Sequence, residues 1–218
     1  MVIIPVVNCA DFRCVKKRLT DALTFGSSWI HIDVADGKFT STVTWGNPSE
    51  LSRVKRGVGT AEYEVHLMVE NPEAIVERWL GVQIRRVIVH IEAISNLNVL
   101  KAICDRYGAE LMLALKLSSP VAEILPYVQE VPLVQILAVE PGPSGQELQS
   151  QTVDKIKFLK SYAPNVKIEV DGGITPETLP LVKEAGADIA VSGSYIFNSS
   201  NPLKAYQRLS EIASLKSK

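Results

Sequence analysis

Short apolar runs alternate with amphipathic runs along the chain. The apolar runs are rich in Val, Ile and Leu, which is typical of strands that are buried on both faces. They predict strands over residues 2–8, 29–33, 62–68, 86–90, 110–115, 133–139, 167–170 and 189–191. The amphipathic runs predict helices over residues 11–25, 48–55, 71–80, 95–107, 119–128, 151–162, 176–185 and 202–215.

This alternation of strands and helices predicts a parallel sheet with helical crossovers. A chain of 218 residues matches the size of a closed (β/α)8 TIM barrel. We therefore expect one α/β barrel domain over residues 1–218. An open doubly wound sheet is the alternative, but it would concentrate polar chemistry at one crevice, whereas polar residues follow nearly every predicted strand of this chain.

Composition and charge narrow the class of partner. The net charge is −1 and there is no basic tract, which argues against nucleic acid or a membrane surface as a partner. No apolar run approaches the ~20 residues that a membrane-spanning helix needs. The first residues lack the basic segment of a secretory signal, so we expect a cytoplasmic protein. Cys9, Cys14 and Cys104 are odd in number without CxxC spacing, so we expect no disulfide.

All three histidines of the chain, His31, His66 and His90, fall near the end of a predicted strand. His31 and Asp33 are two residues apart, so they point to the same face of their strand. Taken alone, this pair is explained equally well by a functional site and by a buried polar pair that hydrogen-bonds to the backbone.

The ends of three strands together predict a metal site. His31 and Asp33 end the second strand, His66 lies near the end of the third, and Asp171 follows the seventh. In a barrel these ends meet at one mouth. Two imidazoles and two carboxylates suit one divalent ion, with Zn²⁺ preferred and Fe²⁺, Mn²⁺ and Co²⁺ as alternatives. Because the two aspartates come from nearly opposite sides, a flat intermediate would meet one carboxylate on each face.

Glycine-bearing turns follow the sixth, seventh and eighth strands. They contain Gly142 and Gly145, then Gly172-Gly173, then Gly193-Ser194. Backbone N–H groups in such turns bind anions, and barrels often hold phosphate after strands 7 and 8. Each motif alone is typical of a tight turn, but three in succession beside a metal-like cluster favour a phosphate site.

Several motifs combine into a specific pattern. They are Ile4-Pro5 with Ala10-Asp11-Phe12, Trp29-Ile30-His31-Ile32-Asp33 with Asp36-Gly37, His66-Leu67-Met68-Val69-Glu70-Asn71-Pro72, Val89-His90 with Glu92-Ala93, Pro141-Gly142 with Gly145-Gln146, Glu169-Val170-Asp171-Gly172-Gly173-Ile174, and Gly193-Ser194 with Ile196-Phe197. With these motifs the chain resembles the ribulose-phosphate 3-epimerase family, which are (β/α)8 enzymes, over nearly its whole length.

The resemblance implies a role for each matching position. Asp33 and Asp171 would be the two acid/base groups, and His31, Asp33, His66 and Asp171 would hold the metal ion. The implied substrate and phosphate contacts are Cys9, His66, Met68, Gly142, Pro143, Ser144, Gly145, Gly172, Gly173, Gly193 and Ser194. The implied reaction is the epimerisation of D-ribulose 5-phosphate to D-xylulose 5-phosphate at C3, a step of the pentose phosphate pathway, through a metal-stabilised enediolate. A homo-oligomer, either a dimer or a hexamer, is also implied.

The chain departs from the family pattern along the wall of the expected site. Cys9 replaces a usual serine that touches substrate, and Ala35 and Leu137 replace usual methionines. The other substituted positions are Lys116, Leu117, Glu140, Pro143 and Ser144. The implied metal ligands and acid/base groups match the family pattern, whereas residues of the wall differ from it. We therefore expect a changed substrate preference rather than a loss of the epimerase reaction.

Three hypotheses remain at this point. The chain is either the pentulose-phosphate epimerase or an epimerase of another phosphorylated ketose, of the allulose 6-phosphate type. A barrel that binds metal and sugar phosphate without catalysis is the third hypothesis, against which the complete aspartate pair argues. Related barrel decarboxylases and aldolases carry an Asp-x-Lys pattern in strand 2, and the predicted second strand of this chain, residues 29–33, does not contain it.

Overall fold

The computed structural model describes residues 1–55 and 61–215, and these form a closed barrel of parallel strands with helices between them. The strands are β1 (Val2–Val7), β2 (Trp29–Ala35), β3 (Glu62–Met68), β4 (Arg86–His90), β5 (Glu110–Leu115), β6 (Leu133–Leu137), β7 (Lys167–Asp171) and β8 (Ile189–Ser192). The helices are α1 (Phe12–Thr24), α2 (Pro48–Lys55), α3 (Val76–Leu80), α4 (Leu97–Tyr107), α5 (Gln151–Tyr162), α6 (Leu179–Ala185), α7 (Ser194–Phe197) and α8 (Pro202–Ser214). The TIM-barrel prediction is confirmed; residues 56–60 and 216–218 of the predicted domain lie outside the described residues.

Every predicted strand corresponds to a strand of the barrel, but one helix prediction was wrong. Residues 119–128 form two 3-10 turns, Val121–Glu123 and Leu125–Tyr127, instead of an α-helix. Pro126 has no N–H group and its ring obstructs the preceding turn, so an α-helix cannot continue through it. The short α7 was not predicted. Among the described residues, no helix is long and apolar enough to cross a bilayer.

Side chains of the strands alternate between two environments. Those that face outward pack under the helices, where Val65 of β3 and Leu209 of α8 belong to the same main core. Two apolar clusters lie elsewhere, one formed by Ile4, Val6, Ile189 and Val191 and one by Ile88, Met112 and Ala114. The remaining buried interior is polar, with His31, Glu64, Gln135 and Glu169 fully buried. Buried polar groups are costly unless each finds a partner, so this interior depends on internal hydrogen bonds and ion pairs.

A disulfide joins Cys9, just after β1, to Cys14 in the first turn of α1. The expectation that the chain has no disulfide was therefore wrong. The cysteine count cannot reveal this pair, because the pairing depends on how the chain turns between β1 and α1. Asp11 caps α1 by accepting a hydrogen bond from the Cys14 N–H at 2.9 Å, and the two cysteine Cα atoms lie 5.7 Å apart. Cys104 is a free, buried thiol.

Reduction of this disulfide is expected to lower the stability of the protein by about 2 kcal/mol, because a cross-link over such a short loop removes a modest amount of unfolded-chain entropy. Thermal unfolding with and without dithiothreitol measures the effect, and a Cys14→Ser variant provides the control. The variant should be insensitive to the reductant. A wild-type melting temperature that dithiothreitol leaves unchanged would contradict the expectation.

Candidate active site

The four candidate metal ligands converge at the carboxyl ends of β2, β3 and β7. His31 Nε2 lies 3.2 Å from Asp33 Oδ1, and His66 Nδ1 lies 3.2 Å from the same oxygen. His66 Nδ1 also lies 3.4 Å from Asp171 Oδ2. The β2–β3 register, which sets Asp33 beside His66, accounts for this convergence. All four side chains are buried.

This donor set fits a divalent cation. One ligand atom from each of the four residues lies within 4.8 Å of the others, so one ion can reach all of them. Two imidazole nitrogens and two carboxylate oxygens are ligands that Zn²⁺ and related ions accept. Burial alone would raise the pKa of Asp33, but hydrogen bonds from His31 and His66 lower it, so this carboxylate is ionised. The predicted cluster is thus assembled in a form that can hold a metal.

Glu64 fixes the orientation of His31. Glu64 Oε1 lies 2.7 Å from His31 Nδ1, and a carboxylate can only accept at this contact, so Nδ1 carries a proton. Nε2 then faces Asp33 and the cluster. Burial alone would lower the pKa of His31, but the hydrogen bonds to Asp33 and Glu64 raise it well above its ordinary value. A cation that binds Nε2 therefore displaces a proton from it.

A second chain of hydrogen bonds fixes the orientation of His66. His66 Nε2 lies 2.8 Å from His90 Nε2, and His90 Nδ1 lies 3.2 Å from Glu92 Oε2. Burial lowers the pKa of His90 to about 4, so its ring is neutral. His90 donates to Glu92 through Nδ1 and accepts through Nε2, which requires His66 to donate from its Nε2. His66 Nδ1 is left to face the two aspartates. The sequence predicted that His90 lies near the end of a strand, but it did not predict that His90 orients His66.

Glu92 is anchored from outside the cluster. Its Oε1 accepts hydrogen bonds from the Lys116 N–H at 2.8 Å and from the Ser119 hydroxyl at 2.5 Å. Burial alone would raise the pKa of Glu92, but its hydrogen bonds to His90 and Ser119 lower it to about 2. The loop after β5 thus holds an ionised carboxylate that acts on a candidate metal ligand through one intervening imidazole.

Glu92→Leu is therefore expected to weaken metal affinity by roughly 10–100-fold, which is the usual cost of losing a partner of a metal ligand. Competition with a chromogenic chelator measures the affinity. Ser119→Ala is the matched control, because it removes a contact of Glu92 but leaves the Glu92–His90 contact in place. Equal metal affinity in Glu92→Leu and the wild type would contradict this assignment.

A cavity opens beside the cluster at the mouth of the barrel. Asp33, Asp171 and Met68 border it together with the three predicted glycine turns. All the phosphate-contact candidates line it, namely Gly142, Pro143, Ser144, Gly145, Gly172, Gly173, Gly193 and Ser194. Cys9 and Ala35 are not among the lining residues, whereas Leu137 is. Cys9 is held in the disulfide instead, so its expected contact with substrate has no support from its position.

The backbone of the glycine turns leaves room and donors for an anion. Gly173 has φ +66°, and a Cβ there would lie 2.2 Å from the Leu148 backbone nitrogen, so only glycine fits. Within the described part of the chain, the N–H groups of Gly145 and Gly173 donate to no acceptor. Available N–H groups along one side of a cavity suit a phosphate. Since α7 has only four residues, the turn before it contributes local N–H groups more than a helix dipole.

A charged layer lies beneath the cluster. Glu64 accepts from Arg86 at 2.7 Å while its other oxygen faces His31. Arg86 also pairs with Glu110 at 2.7 Å. Glu169 accepts from Gln135 at 3.0 Å, and burial together with the nearby Glu64 charge raises its pKa well above the ordinary value. Arg86 is thus the buried cation that compensates the Glu64 carboxylate.

Comparison with known proteins agrees with this geometry. A sequence model described as the ribulose-phosphate 3-epimerase family matches residues 2–197. The chain is 35% identical to the ribulose-phosphate 3-epimerase of Treponema pallidum, covering 89% of this chain and 90% of that protein. It is 33% identical to the enzyme of the same name from Bacillus subtilis, covering 94% and 96%. Among solved structures, 3-hexulose-6-phosphate synthase has a TM-score of 0.75 at 16% identity, covering 97% of this chain and 99% of that chain, which shows a shared fold alone.

Proposed function

The chain belongs to the ribulose-phosphate 3-epimerase family, and we propose that it converts D-ribulose 5-phosphate into D-xylulose 5-phosphate by inverting the configuration at C3. One observation carries the proposal: Asp33 of β2 and Asp171 of β7 border the same cavity from different strands, with glycine turns at its rim. A protein that only binds a sugar phosphate needs no carboxylate on each side of it.

In the proposed reaction, one aspartate removes the C3 proton and the other delivers a proton to the opposite face. Asp33 is suited to proton transfer because its two carboxylate oxygens have different neighbours. Oδ1 faces His31 and His66, whereas Oδ2 contacts neither histidine and receives a hydrogen bond from Asn8 at 2.9 Å. Oδ2 is therefore the oxygen that we assign to proton transfer.

His31, Asp33, His66 and Asp171 would hold the divalent ion. When bound, such an ion supplies Lewis-acid stabilisation of the negative charge on the substrate oxygens. We propose Zn²⁺ as the resident ion, with Fe²⁺, Mn²⁺ and Co²⁺ as alternatives, and a cytoplasmic homo-oligomer as the working form. Elemental analysis and light scattering of the purified protein test the ion and the assembly.

The phosphate group would lie against the turns after β6, β7 and β8. The available N–H groups of Gly145 and Gly173 support this position, because both residues line the cavity and neither group donates to an acceptor among the described residues. Bound there, the phosphate anchors one end of the ketose and brings the carbon chain toward the two aspartates. This positioning reduces the entropy that must be lost when C3 reacts.

The second candidate function is epimerisation of a six-carbon ketose phosphate of the allulose 6-phosphate type. The observation that favours it is the changed wall, since Leu137, Pro143 and Ser144 border the cavity where the family usually has other residues. A different wall shape changes which chain length fits best.

Steady-state kinetics on a panel of ketoses separates these functions. The protein is loaded in turn with each of the four metals and assayed with D-ribulose 5-phosphate, D-allulose 6-phosphate and unphosphorylated D-ribulose. We expect the highest kcat/KM for D-ribulose 5-phosphate and negligible turnover of D-ribulose. A higher kcat/KM for the hexulose phosphate would favour the second candidate, and no turnover with any metal would contradict both.

A further inference from the structure

Asn8, the residue that follows β1, borders the cavity beside Asp33 and Gly142. Its side-chain Nδ2 donates to Asp33 Oδ2 at 2.9 Å and lies 3.4 Å from the Gly142 carbonyl oxygen. The residue is held from the backbone as well, because Arg18 donates to the Asn8 carbonyl oxygen at 2.7 Å. The disulfide at Cys9 ties down the next residue of the chain. Asn8 is therefore a fixed polar group within the candidate site.

The two contacts of Nδ2 determine which way the amide points. An ionised carboxylate and a backbone carbonyl are both acceptors, so the NH2 group must face them. The opposite orientation would set the amide oxygen against two other oxygens. Oδ1 consequently points away from both partners, and it accepts no hydrogen bond from the described residues. Asn8 thus keeps one unused acceptor at the edge of the cavity.

The position of this acceptor corresponds to one carbon of the proposed substrate. The argument rests on the proposed function, in which C3 reacts at Asp33 and the C5 phosphate lies in the glycine turns. Asn8 stands between these two sites, since its amide touches both Asp33 and the Gly142 turn. C4 of the ketose likewise lies between C3 and the phosphate-bearing C5. We propose that Asn8 is a substrate-positioning residue whose Oδ1 accepts a hydrogen bond from the C4 hydroxyl.

This contact would give Asn8 two connected effects. Nδ2 holds Asp33 Oδ2 in the orientation for proton transfer, while Oδ1 selects a ketose phosphate that carries a hydroxyl beside the reacting carbon. A site that contains an acceptor for a hydroxyl disfavours an analogue that lacks the hydroxyl, because the acceptor is then left without a partner. A neutral hydrogen bond of this kind changes kcat/KM by roughly tenfold.

A comparison of two substrates on matched variants tests the proposal. Metal-loaded wild type, Asn8→Ala and Asn8→Leu are each given D-ribulose 5-phosphate and its 4-deoxy analogue in D2O. The rate of deuterium entry at C3 provides kcat/KM for both substrates. Wild type should prefer D-ribulose 5-phosphate by roughly tenfold, and both Asn8 variants should lose most of this preference. Val6→Ala, which alters an apolar residue of the same cavity, should keep it.

The comparison separates a contact with substrate from a purely structural role. If Asn8 only held Asp33 in place, its variants would slow both substrates equally and keep the wild-type preference, which would overturn the proposal. A wild type with no preference would overturn it too. Absence of C3 exchange from D-ribulose 5-phosphate in the metal-loaded wild type would instead overturn the proposed function on which the assignment rests.

Discussion

Asp171→Asn is expected to slow epimerisation severely while one epimer still exchanges its C3 proton with solvent. With a base on each face, removal of one leaves the other able to remove and return a proton on its own side. The epimerisation rate should fall by roughly 10²–10⁴-fold, the usual contribution of a positioned acid or base. NMR in D2O should show deuterium at C3 of one epimer and almost none in the other.

Asp33→Asn should show the reverse preference, because Asp33 and Asp171 approach from different strands. Asparagine keeps an oxygen at the ligand position, so the comparison is made between variants that elemental analysis shows to carry the same metal content as the wild type. A metal-loaded variant of either aspartate that epimerises near the wild-type rate would disprove the two-base assignment.

Arg86→Met is expected to cost about 3–5 kcal/mol of unfolding free energy, because it removes the partner of a buried carboxylate. Arg86 is 6% exposed and donates to the fully buried Glu64 at 2.7 Å. Methionine keeps much of the aliphatic volume but cannot compensate the Glu64 charge. Glu64 also orients His31, so metal affinity should fall in the same variant.

Arg85→Met is the matched control for this experiment. Arg85 is the preceding residue, and its side chain lies near Glu62 at 3.8 Å with both side chains about half exposed. An exposed pair of this kind contributes at most about 1 kcal/mol. Urea unfolding of both variants in one buffer measures the difference. Equal losses in the two variants would show that the Glu64–Arg86 contact is no more important than a surface ion pair.

The sequence predicted the barrel well because each of its strands carries a local signal. Continuous apolar runs predicted the bounds of β3, β4 and β5 to the residue. The two-residue period of a strand placed His31 and Asp33 on one face, and the structure confirms that they approach each other. The 3-10 turns around Pro126 were not predicted, because the spacing of hydrophobic residues does not reveal that proline lacks an N–H group.

Features that depend on contacts between distant segments were not predicted. Asn8 and His90 both end predicted strands, but their partners, Asp33 and His66, lie 25 and 24 residues away along the chain. The Cys9–Cys14 disulfide is close in sequence, yet it depends on the turn between β1 and α1. Cys9 was expected at the substrate, but it is held in the disulfide and does not line the cavity.

The charged layer inside the barrel is another feature whose side-chain pairing could not be predicted from the sequence. Glu64 and Arg86 interrupt apolar strands at positions that are paired in the β3–β4 register. A charge at an inward position of a buried strand indicates a buried partner, since an isolated buried charge is too costly to retain. Register cannot be determined from one strand at a time, so the pairing was visible only in the folded chain.

The most direct test of the proposed epimerase is proton NMR of D-ribulose 5-phosphate in D2O with the metal-loaded protein. Proton transfer through two aspartates predicts that the C3 proton signal disappears and that the D-xylulose 5-phosphate formed carries deuterium at C3. Both changes should stop when a chelator removes the ion. A C3 signal that persists at saturating metal, or D-xylulose 5-phosphate that retains its original C3 proton, would contradict the proposed mechanism.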